Sequence, residues 1–394
     1  MKKTKKSQTI KKIVVHASFL SIFLATFMAT LVNRSYFSKS ADFISYFVGA
    51  EILAAGKGSL LYDLPTQYFF QTSVIDPKIG DWVLPFRGIP AVLLIYLPLT
   101  FLSLETAYTI FSIGNFLLLI FFYYLLTRVF ENISAKSKYL FLLVIVFIPA
   151  LQALCMGQLS VLITTIFLII FNSIKDKKYV LAGVFSSLLI IKAQYLTAIP
   201  FIFFLVREKK QFLIGFFPMF AFLILVSSVM SYPLWFLRYP AFLFTTENSN
   251  YGSRFQDMGS FYANTRFLFS NLSGRFVVFL NTLLYFVVLI FFAIRSRKLT
   301  YETLFVSTIL FSIVFSVHFL SFDYVLLLIP FYIIFNKIFR GRKKRFKFAY
   351  FLAFVIYALP ILAYTGFQAY LSFPLLTLGV LFLIVGKSHI FLEA

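Results

Sequence analysis

Long apolar segments alternate with short polar segments along this chain. A helix that crosses a bilayer needs about 20 mostly apolar residues, because the hydrocarbon offers no water to satisfy backbone polar groups. Residues 13–32 form the first such segment; they follow a lysine-rich N-terminus and lack a convincing small-x-small cleavage site, so we expect a retained helix. The pattern predicts an all-α polytopic membrane protein with a single integral membrane domain, residues 1–394.

Lysine and arginine gather in short runs between the apolar segments, which is typical of cytoplasmic loops. Placing these runs inside predicts about 12 transmembrane helices, two cytoplasmic termini and two large extracytoplasmic loops, residues 33–88 and 232–275. Residues 90–104 are then expected to be re-entrant or interfacial; the alternative is that the loop after Arg128 violates the charge rule. Inside the first loop, Pro65 marks the first turn of an interfacial helix.

Composition supports the membrane interpretation and argues against nucleic-acid binding. The 394 residues are 61% hydrophobic and only 13% charged, too apolar a mixture for a soluble protein of this size. The net charge of +22 could suggest a nucleic-acid partner, but the basic residues lie in loop-like runs. A basic groove interleaved with aromatic residues, as single-stranded nucleic acids require, is missing.

The sequence offers no recognisable cofactor or metal motif. Cys155 is the only cysteine, and the histidines His16, His318 and His389 are too widely scattered for zinc spacing. Asp-x-Asp pairs, a P-loop and a Gly-x-Gly-x-x-Gly sequence are also missing. We therefore expect no cofactor and no bound metal.

The segment SADFISYFVGAEILAAG, residues 40–56, predicts an amphipathic helix at the membrane interface. In a helix Asp42 and Tyr46 share a face, whereas Glu51 lies about half a turn away and forms no pair with Asp42. Two interpretations of Asp42 remain open. It caps the helix, the commoner role of an aspartate there, or it is a functional carboxylate held just outside the hydrocarbon.

The predicted topology brings four isolated polar sites to the outer ends of helices: Asp42, Gln158, Lys192 and His318. Polar residues at such depths are costly and usually have a partner or a task. Each also has a structural explanation: Gln158 could bond to loop carbonyls, Lys192 could snorkel to the interface, and a lone interfacial histidine is unremarkable. Their convergence nevertheless predicts a polar cavity that faces outward.

The second large loop adds arginines, including Arg254, among many aromatic residues. Arginine's planar fork suits phosphate, and aromatic faces suit sugar rings or a lipid chain. The alternative is an ordinary belt of aromatic and basic residues at the membrane interface. Asp323 follows His318 by five residues and joins the candidate set.

Five segments, taken in order, resemble those of polytopic GT-C glycosyltransferases. The chain is similar in particular to bacterial polyprenol-phosphate-mannose-dependent α-mannosyltransferases. Gly49, Ala193 and Val317 depart from residues common in that family. The segments are DFISYFVGAEILAAGKGSLLYD (42–63), FRGIPAVLLIYLPLTFLSLETAYTIFSIGN (86–115), MGQLSVLI (156–163), AGVFSSLLIIKAQ (182–194) and SVHFLSFDYVLLLIP (316–330).

The resemblance implies a GT-C-type helical bundle in the plasma or inner membrane, with its active site on the extracytoplasmic side. It implies inverting transfer of a sugar, expected to be mannose, from a polyprenyl-phosphate donor to a glycolipid or glycan acceptor. Asp42 would be the general base, and cationic side chains would stabilise the leaving phosphate. The substrate-binding candidates are Tyr46, Gln158, Lys192, Arg254, His318 and Asp323.

Two other classes of function are compatible with the pattern. A transporter or flippase of lipid-linked saccharides would need polar residues lining both leaflets, whereas here the polarity of the inner side lies mostly in loops. A non-catalytic membrane scaffold would tolerate replacement of all the outer polar residues.

Overall fold

The computed structural model of the protein describes residues 2–75, 82–130, 143–247, 249–251, 254–340 and 347–385. Short parts of both predicted large loops lie outside these ranges, as do several basic residues that entered the predicted topology. These parts are residues 76–81 and 248, 252 and 253 of the loops, and basic positions 136, 138, 342–345 and 387.

The described residues form α-helices joined by turns and short 3₁₀ helices, and no strand occurs among them, which confirms the all-α prediction. The α-helices are α1 (Lys2–Val32), α2 (Arg34–Ser40), α3 (Phe43–Ala54), α4 (Leu64–Val74), α5 (Leu104–Val129), α6 (Ile148–Cys155), α7 (Ser160–Lys175), α8 (Tyr179–Ser187), α9 (Ile199–Leu205), α10 (Lys209–Met230), α11 (Trp235–Thr246), α12 (Phe261–Leu268), α13 (Gly274–Ser296), α14 (Tyr301–Val314), α15 (Leu328–Arg340), α16 (Lys347–Ala363) and α17 (Ser372–Val385).

Within the described residues, 4 helical segments are long and apolar enough to cross a membrane, and a bent pair of helices raises the number to 5. This supports a polytopic membrane protein. The predicted number of about 12 crossings is not reached by helix length alone, because many of the remaining apolar helices have only 10–17 residues. The segments are Leu104–Val129, Tyr179–Leu205, Lys209–Met230 and Gly274–Ser296, and the pair Leu20–Val32 and Arg34–Ser40 bends by 75°.

The segment expected not to cross the membrane forms two 3₁₀ helices, Pro90–Ile95 and Leu97–Phe101. Proline stands in the first turn of each, where its missing N–H is tolerated. Neither helix approaches the length of a bilayer span. Whether residues 90–104 are re-entrant or lie at the membrane interface stays a prediction.

Helix α3, which follows Asp42, is packed into the protein rather than lying on its surface. The residues from Phe43 to Ala50 are all buried, and the ring of Phe43 contacts those of Tyr108 and Phe111. The segment therefore does not form the amphipathic surface helix that the sequence predicts. The difference arises because aromatic residues of α5 cover the side that the sequence alone leaves open.

Helix α4 begins as the sequence predicts, with Pro65 in its first turn. The Asp63 carboxylate caps the helix by accepting a hydrogen bond from the backbone N–H of Thr66 at 3.0 Å. The side chains of Gln67 and Gln71 bond to the returning chain: Gln67 accepts from the N–H of Phe86 at 2.7 Å. These bonds hold the end of the first loop against α4.

The long segment Tyr179–Leu205 is broken at Lys192, whose backbone (φ −119°, ψ 90°) is not helical. The helix breaks here although Ala193 follows the lysine and no proline forces the break. Helix α8 packs so closely on α10 that a Cβ on Gly183 would lie 2.1 Å from the carbonyl oxygen of Phe212. A large residue there would separate the two helices.

Candidate active site

A cavity of about 370 Å³ opens where the first loop, the turn after α6, the broken helix and the segment after α14 meet. Apolar side chains form most of its remaining wall, including Leu243 and Phe244 of α11. All four polar sites that the sequence predicts to converge contribute to this cavity. Its charged and polar lining includes Asp42, Arg87, Gln158, Lys192, Glu247 and His318.

Asp42 stands immediately before α3, at the position of a helix cap, but its side chain makes no capping hydrogen bond. Its carboxylate instead accepts a hydrogen bond from Nε2 of Gln158, 116 residues away in sequence. The capping interpretation therefore does not describe the side chain. Asp42 is half-buried and faces the cavity.

The turn that carries Gln158 needs a glycine. Gly157 has φ +61°, and a Cβ there would lie 2.7 Å from Cβ of Phe43. The N–H of Phe43 donates to the carbonyl of Met156 at 3.2 Å, and the amide of Asn115 donates to the carbonyl of Gln158 at 3.0 Å. This close approach of two turns places the Gln158 amide on the Asp42 carboxylate.

The electrostatic environment of Asp42 contains opposing influences. Burial raises the pKa of the Asp42 carboxyl above its ordinary value, because removal from water disfavours the charged form. The hydrogen bond from Gln158 and the positive charges of His318, Lys192 and Arg87 act in the other direction. A carboxylate of this kind can accept a proton more readily than one in bulk water.

Lys192 forms a buried ion pair with Asp323, with Nζ and Oδ1 2.6 Å apart. The Asp323 side chain is 0% exposed and the Lys192 side chain 7%. Ser160 donates to the same Oδ1 at 2.5 Å and accepts from the Lys192 ammonium at 3.1 Å, while Gln194 donates to the other carboxylate oxygen at 3.3 Å. Lys192 is therefore held inside the protein and does not snorkel outward.

A second pair of ionisable groups joins the end of α11 to the segment after α14. Nδ1 of His318 lies 2.7 Å from Oε1 of Glu247, and both residues line the cavity. The neighbouring Arg87 donates from its guanidinium to the carbonyl of Thr246 at 2.6 Å and to that of Tyr251 at 2.9 Å. These bonds hold the cation of the first loop beside the second loop.

The remaining candidates divide into residues that line the cavity and residues that do not. Tyr46 lines it, and its ring stacks on that of Tyr96 with centroids 4.9 Å apart. Asp323 lies behind Lys192 and is not part of the lining. Arg254 lies outside the lining, in an exposed ion pair with Asp257. Its predicted role in binding phosphate stays a prediction.

Two charged residues of the cavity lining were not among the site residues predicted from the sequence: Arg87 and Glu247. Arg87 stands alone between Pro85 and Pro90 at the end of the first loop, and an isolated cation between prolines is a weak signal. Glu247 is one of several charged residues in the second loop. Among the described residues, no group of three or more His, Cys, Asp or Glu side chains could hold a metal ion.

The chain matches a known protein family. The model of glycosyltransferase family 87 matches residues 89–322, which is more than half of the chain. No curated protein and no solved structure matches the chain. The matched range includes Gln158, Lys192, Glu247 and His318, whereas Asp42 and Arg87 precede it.

The ion pair between Lys192 and Asp323 predicts a marked difference between single and double substitutions. Asp323→Asn leaves a buried ammonium without its counter-charge, and we expect a loss of about 3–5 kcal/mol in stability. The double variant Lys192→Met/Asp323→Asn removes both charges and should be less damaging than Asp323→Asn alone. The melting temperature in detergent, followed by a dye that reacts with Cys155 on unfolding, measures both.

The exposed pair of Arg254 and Asp257 supplies the control. Asp257→Asn should change stability by no more than about 1 kcal/mol, because solvent screens exposed ion pairs. An Asp323→Asn variant that melts no earlier than Asp257→Asn would show that Asp323 does not neutralise Lys192.

Proposed function

The chain belongs to glycosyltransferase family 87, a GT-C-type family, and on this premise we propose that it transfers a sugar from a polyprenyl-phosphate donor to an extracytoplasmic glycolipid or glycan. The family and the long apolar helices identify a membrane glycosyltransferase. The donor, the acceptor and the roles of individual residues are parts of the proposal. Family membership favours transfer over transport of a lipid-linked saccharide.

The observation that carries the proposal is a half-buried carboxylate in the same cavity as three basic side chains. Asp42 is the proposed general base, and Lys192, Arg87 and His318 are the proposed partners of the donor phosphate. The carboxylate and the positive charges come from segments far apart in sequence. Transfer needs these two features together, because the acceptor must lose a proton while the leaving phosphate gains charge.

In the proposed reaction the acceptor hydroxyl attacks the anomeric carbon of the donor sugar. A bond forms from the acceptor oxygen to this carbon as the bond from the carbon to the phosphate oxygen breaks. The hydroxyl proton passes to Asp42, and the departing polyprenyl phosphate takes the electron pair. Attack opposite to the leaving group inverts the anomeric configuration, so a β-linked donor would give an α-linked product.

The cations have different surroundings, which suggests different contributions to binding of the phosphate. Asp323 already balances the charge of Lys192, so the ammonium group that lines the cavity belongs to a pair without net charge. Arg87 is fixed through the backbone carbonyls of Thr246 and Tyr251, which orients its guanidinium without neutralising it. We expect Arg87 to supply more of the attraction for the phosphate than Lys192 does.

Mannose is the sugar proposed for the donor, by resemblance of the motifs, and arabinose, glucose and galactose are the alternatives to test. The outer face of the plasma or inner membrane is the proposed location of the cavity, and the distribution of basic runs supports it. A polyprenyl chain would leave the cavity along its apolar wall, where Leu243 and Phe244 lie.

Asp42→Asn should lower the rate of sugar transfer by at least about 100-fold, because the amide cannot accept the acceptor's proton. The measurement is transfer of radiolabelled sugar from polyprenyl-phosphate mannose, and from the alternative donors, in membranes that contain equal amounts of each variant. Glu51→Gln is the matched control, since Glu51 lies on α3, the helix that Asp42 precedes, and outside the cavity lining. Full activity of Asp42→Asn would remove Asp42 from its proposed role.

The pH dependence of transfer gives a second prediction. Asp42 accepts a proton only when ionised, so activity should rise with pH through the pKa of this carboxyl. The hydrogen bond from Gln158 favours the ionised form. Gln158→Leu removes this bond, raises the pKa of Asp42 further and should move the acidic limb of the rate profile to higher pH.

The profile of Glu51→Gln should coincide with that of the unmodified protein. A limb that stays in place in Gln158→Leu, or that moves to lower pH, contradicts the assignment of this limb to Asp42.

A further inference from the structure

The contact between Glu247 and His318 joins two loops and faces the cavity. Oε1 of Glu247 lies 2.7 Å from Nδ1 of His318, and the Glu247 side chain is only 6% exposed against 22% for the histidine. The two residues are 71 positions apart, so only the tertiary fold creates this contact. The carboxylate is the more buried member of the pair, and the imidazole is the more accessible one.

The position of the hydrogen between them follows from the chemistry of the carboxylate. An ionised carboxylate can only accept hydrogen bonds, so an ionised Glu247 requires the hydrogen that joins the two groups to be on Nδ1 of His318. The guanidinium of Arg87 interacts electrostatically with Glu247. Once Nδ1 is engaged, Nε2 is the ring nitrogen that remains to meet a ligand in the cavity.

Other charged groups also act on this pair. Asp42 interacts electrostatically with His318, and Lys192 lies in the same cavity wall. Tyr262 of α12 interacts electrostatically with Glu247. Two carboxylates, Asp42 and Glu247, therefore act on one imidazole, and only Glu247 is in hydrogen-bonding contact with it.

We propose that Glu247 is a positioning residue for sugar transfer: its carboxylate holds His318 with a hydrogen on Nδ1 and stabilises the imidazolium, so that Nε2 donates a hydrogen bond to the departing phosphate. The consequence for transfer rests on the proposed function, whereas the orientation of the ring does not. Asp42 and Glu247 then have separate tasks. Asp42 receives the acceptor's proton, and Glu247 prepares the group that meets the leaving oxygen.

This arrangement differs from an ion pair that only stabilises the fold. A purely structural pair would affect melting temperature and the amount of folded protein, but not the protonation of the ring in protein that remains folded. A positioning role predicts a loss in kcat with little change in KM, since the hydrogen bond strengthens as charge develops on the phosphate. The protonation state of His318 and the division between kcat and KM are therefore the discriminating measurements.

The first measurement is nitrogen NMR of protein labelled with ¹⁵N-histidine in lipid nanodiscs. The chain has only 3 histidines, so the signals of His318 can be assigned by their loss in His318→Gln. We expect a protonated Nδ1 on His318 in the unmodified protein. The glutamine can still accept from Nδ1 through its oxygen but carries no charge, so Glu247→Gln keeps the Nδ1 hydrogen, whereas Glu247→Ala loses this preference.

The second measurement is steady-state sugar transfer by the same proteins. Glu247→Ala should lower kcat by about 10- to 100-fold, by analogy with removal of the carboxylate partner that orients a metal-binding histidine. KM should stay within about threefold, and Glu247→Gln should retain more activity than Glu247→Ala because it preserves the orientation of the ring. Glu208→Gln, an exposed carboxylate outside the cavity, is the control and should be fully active.

Two results would overturn the proposal. One is an unprotonated Nδ1 on His318 in the unmodified protein. The other is a Glu247→Ala variant that folds and transfers sugar as fast as Glu208→Gln. A protein that transfers none of the lipid-linked sugars would refute the proposed function instead, and the NMR result would still decide whether Glu247 orients the ring.

Discussion

The buried ion pair of Lys192 and Asp323 is the interaction on which the cavity depends. An ammonium in an apolar helical bundle is strongly unfavourable without a counter-charge, and Asp323 supplies one at 2.6 Å. The pair ties the break in the segment Tyr179–Leu205 to the 3₁₀ helix Ser321–Leu327, and Ser160 ties both to the start of α7. Three elements that line or support the cavity are thus fixed at one point.

A second contact completes the cavity on the side of the proposed base. The left-handed Gly157 lets the turn after α6 approach Phe43, which brings the Gln158 amide onto Asp42. The two contacts leave a polar recess between them, because the broken helix and the turn direct polar groups to the same space. A membrane glycosyltransferase needs such a recess, since its acceptor and its sugar donor must meet away from bulk water.

The sequence was most informative where a polar residue interrupts an apolar segment. Gln158, Lys192 and His318 could be singled out because burying them is unfavourable unless they have a partner, and the structure brings all three to one cavity with Asp42. Their partners could not be predicted in the same way. Asp323 is 131 residues from Lys192, and the sequence gives no signal for such a pairing beyond the presence of both charges.

The same limit explains why Arg87 was not predicted and why α3 is buried rather than amphipathic. Both depend on which distant segments pack against the first loop. The number of membrane crossings could not be predicted either, because the lengths of short and broken helices do not show how many times the chain crosses the membrane.

The most direct measurement of the central claim is a structure determined by electron cryomicroscopy in nanodiscs, with a non-transferable polyprenyl phosphonate sugar. The account predicts the phosphonate inside the cavity, within hydrogen-bonding distance of Arg87, His318 or Lys192, and the sugar between this group and Asp42. It also predicts that the isoprenoid leaves along the apolar wall formed by α11. A phosphonate bound outside the cavity, or a sugar that Asp42 does not face, would contradict the account.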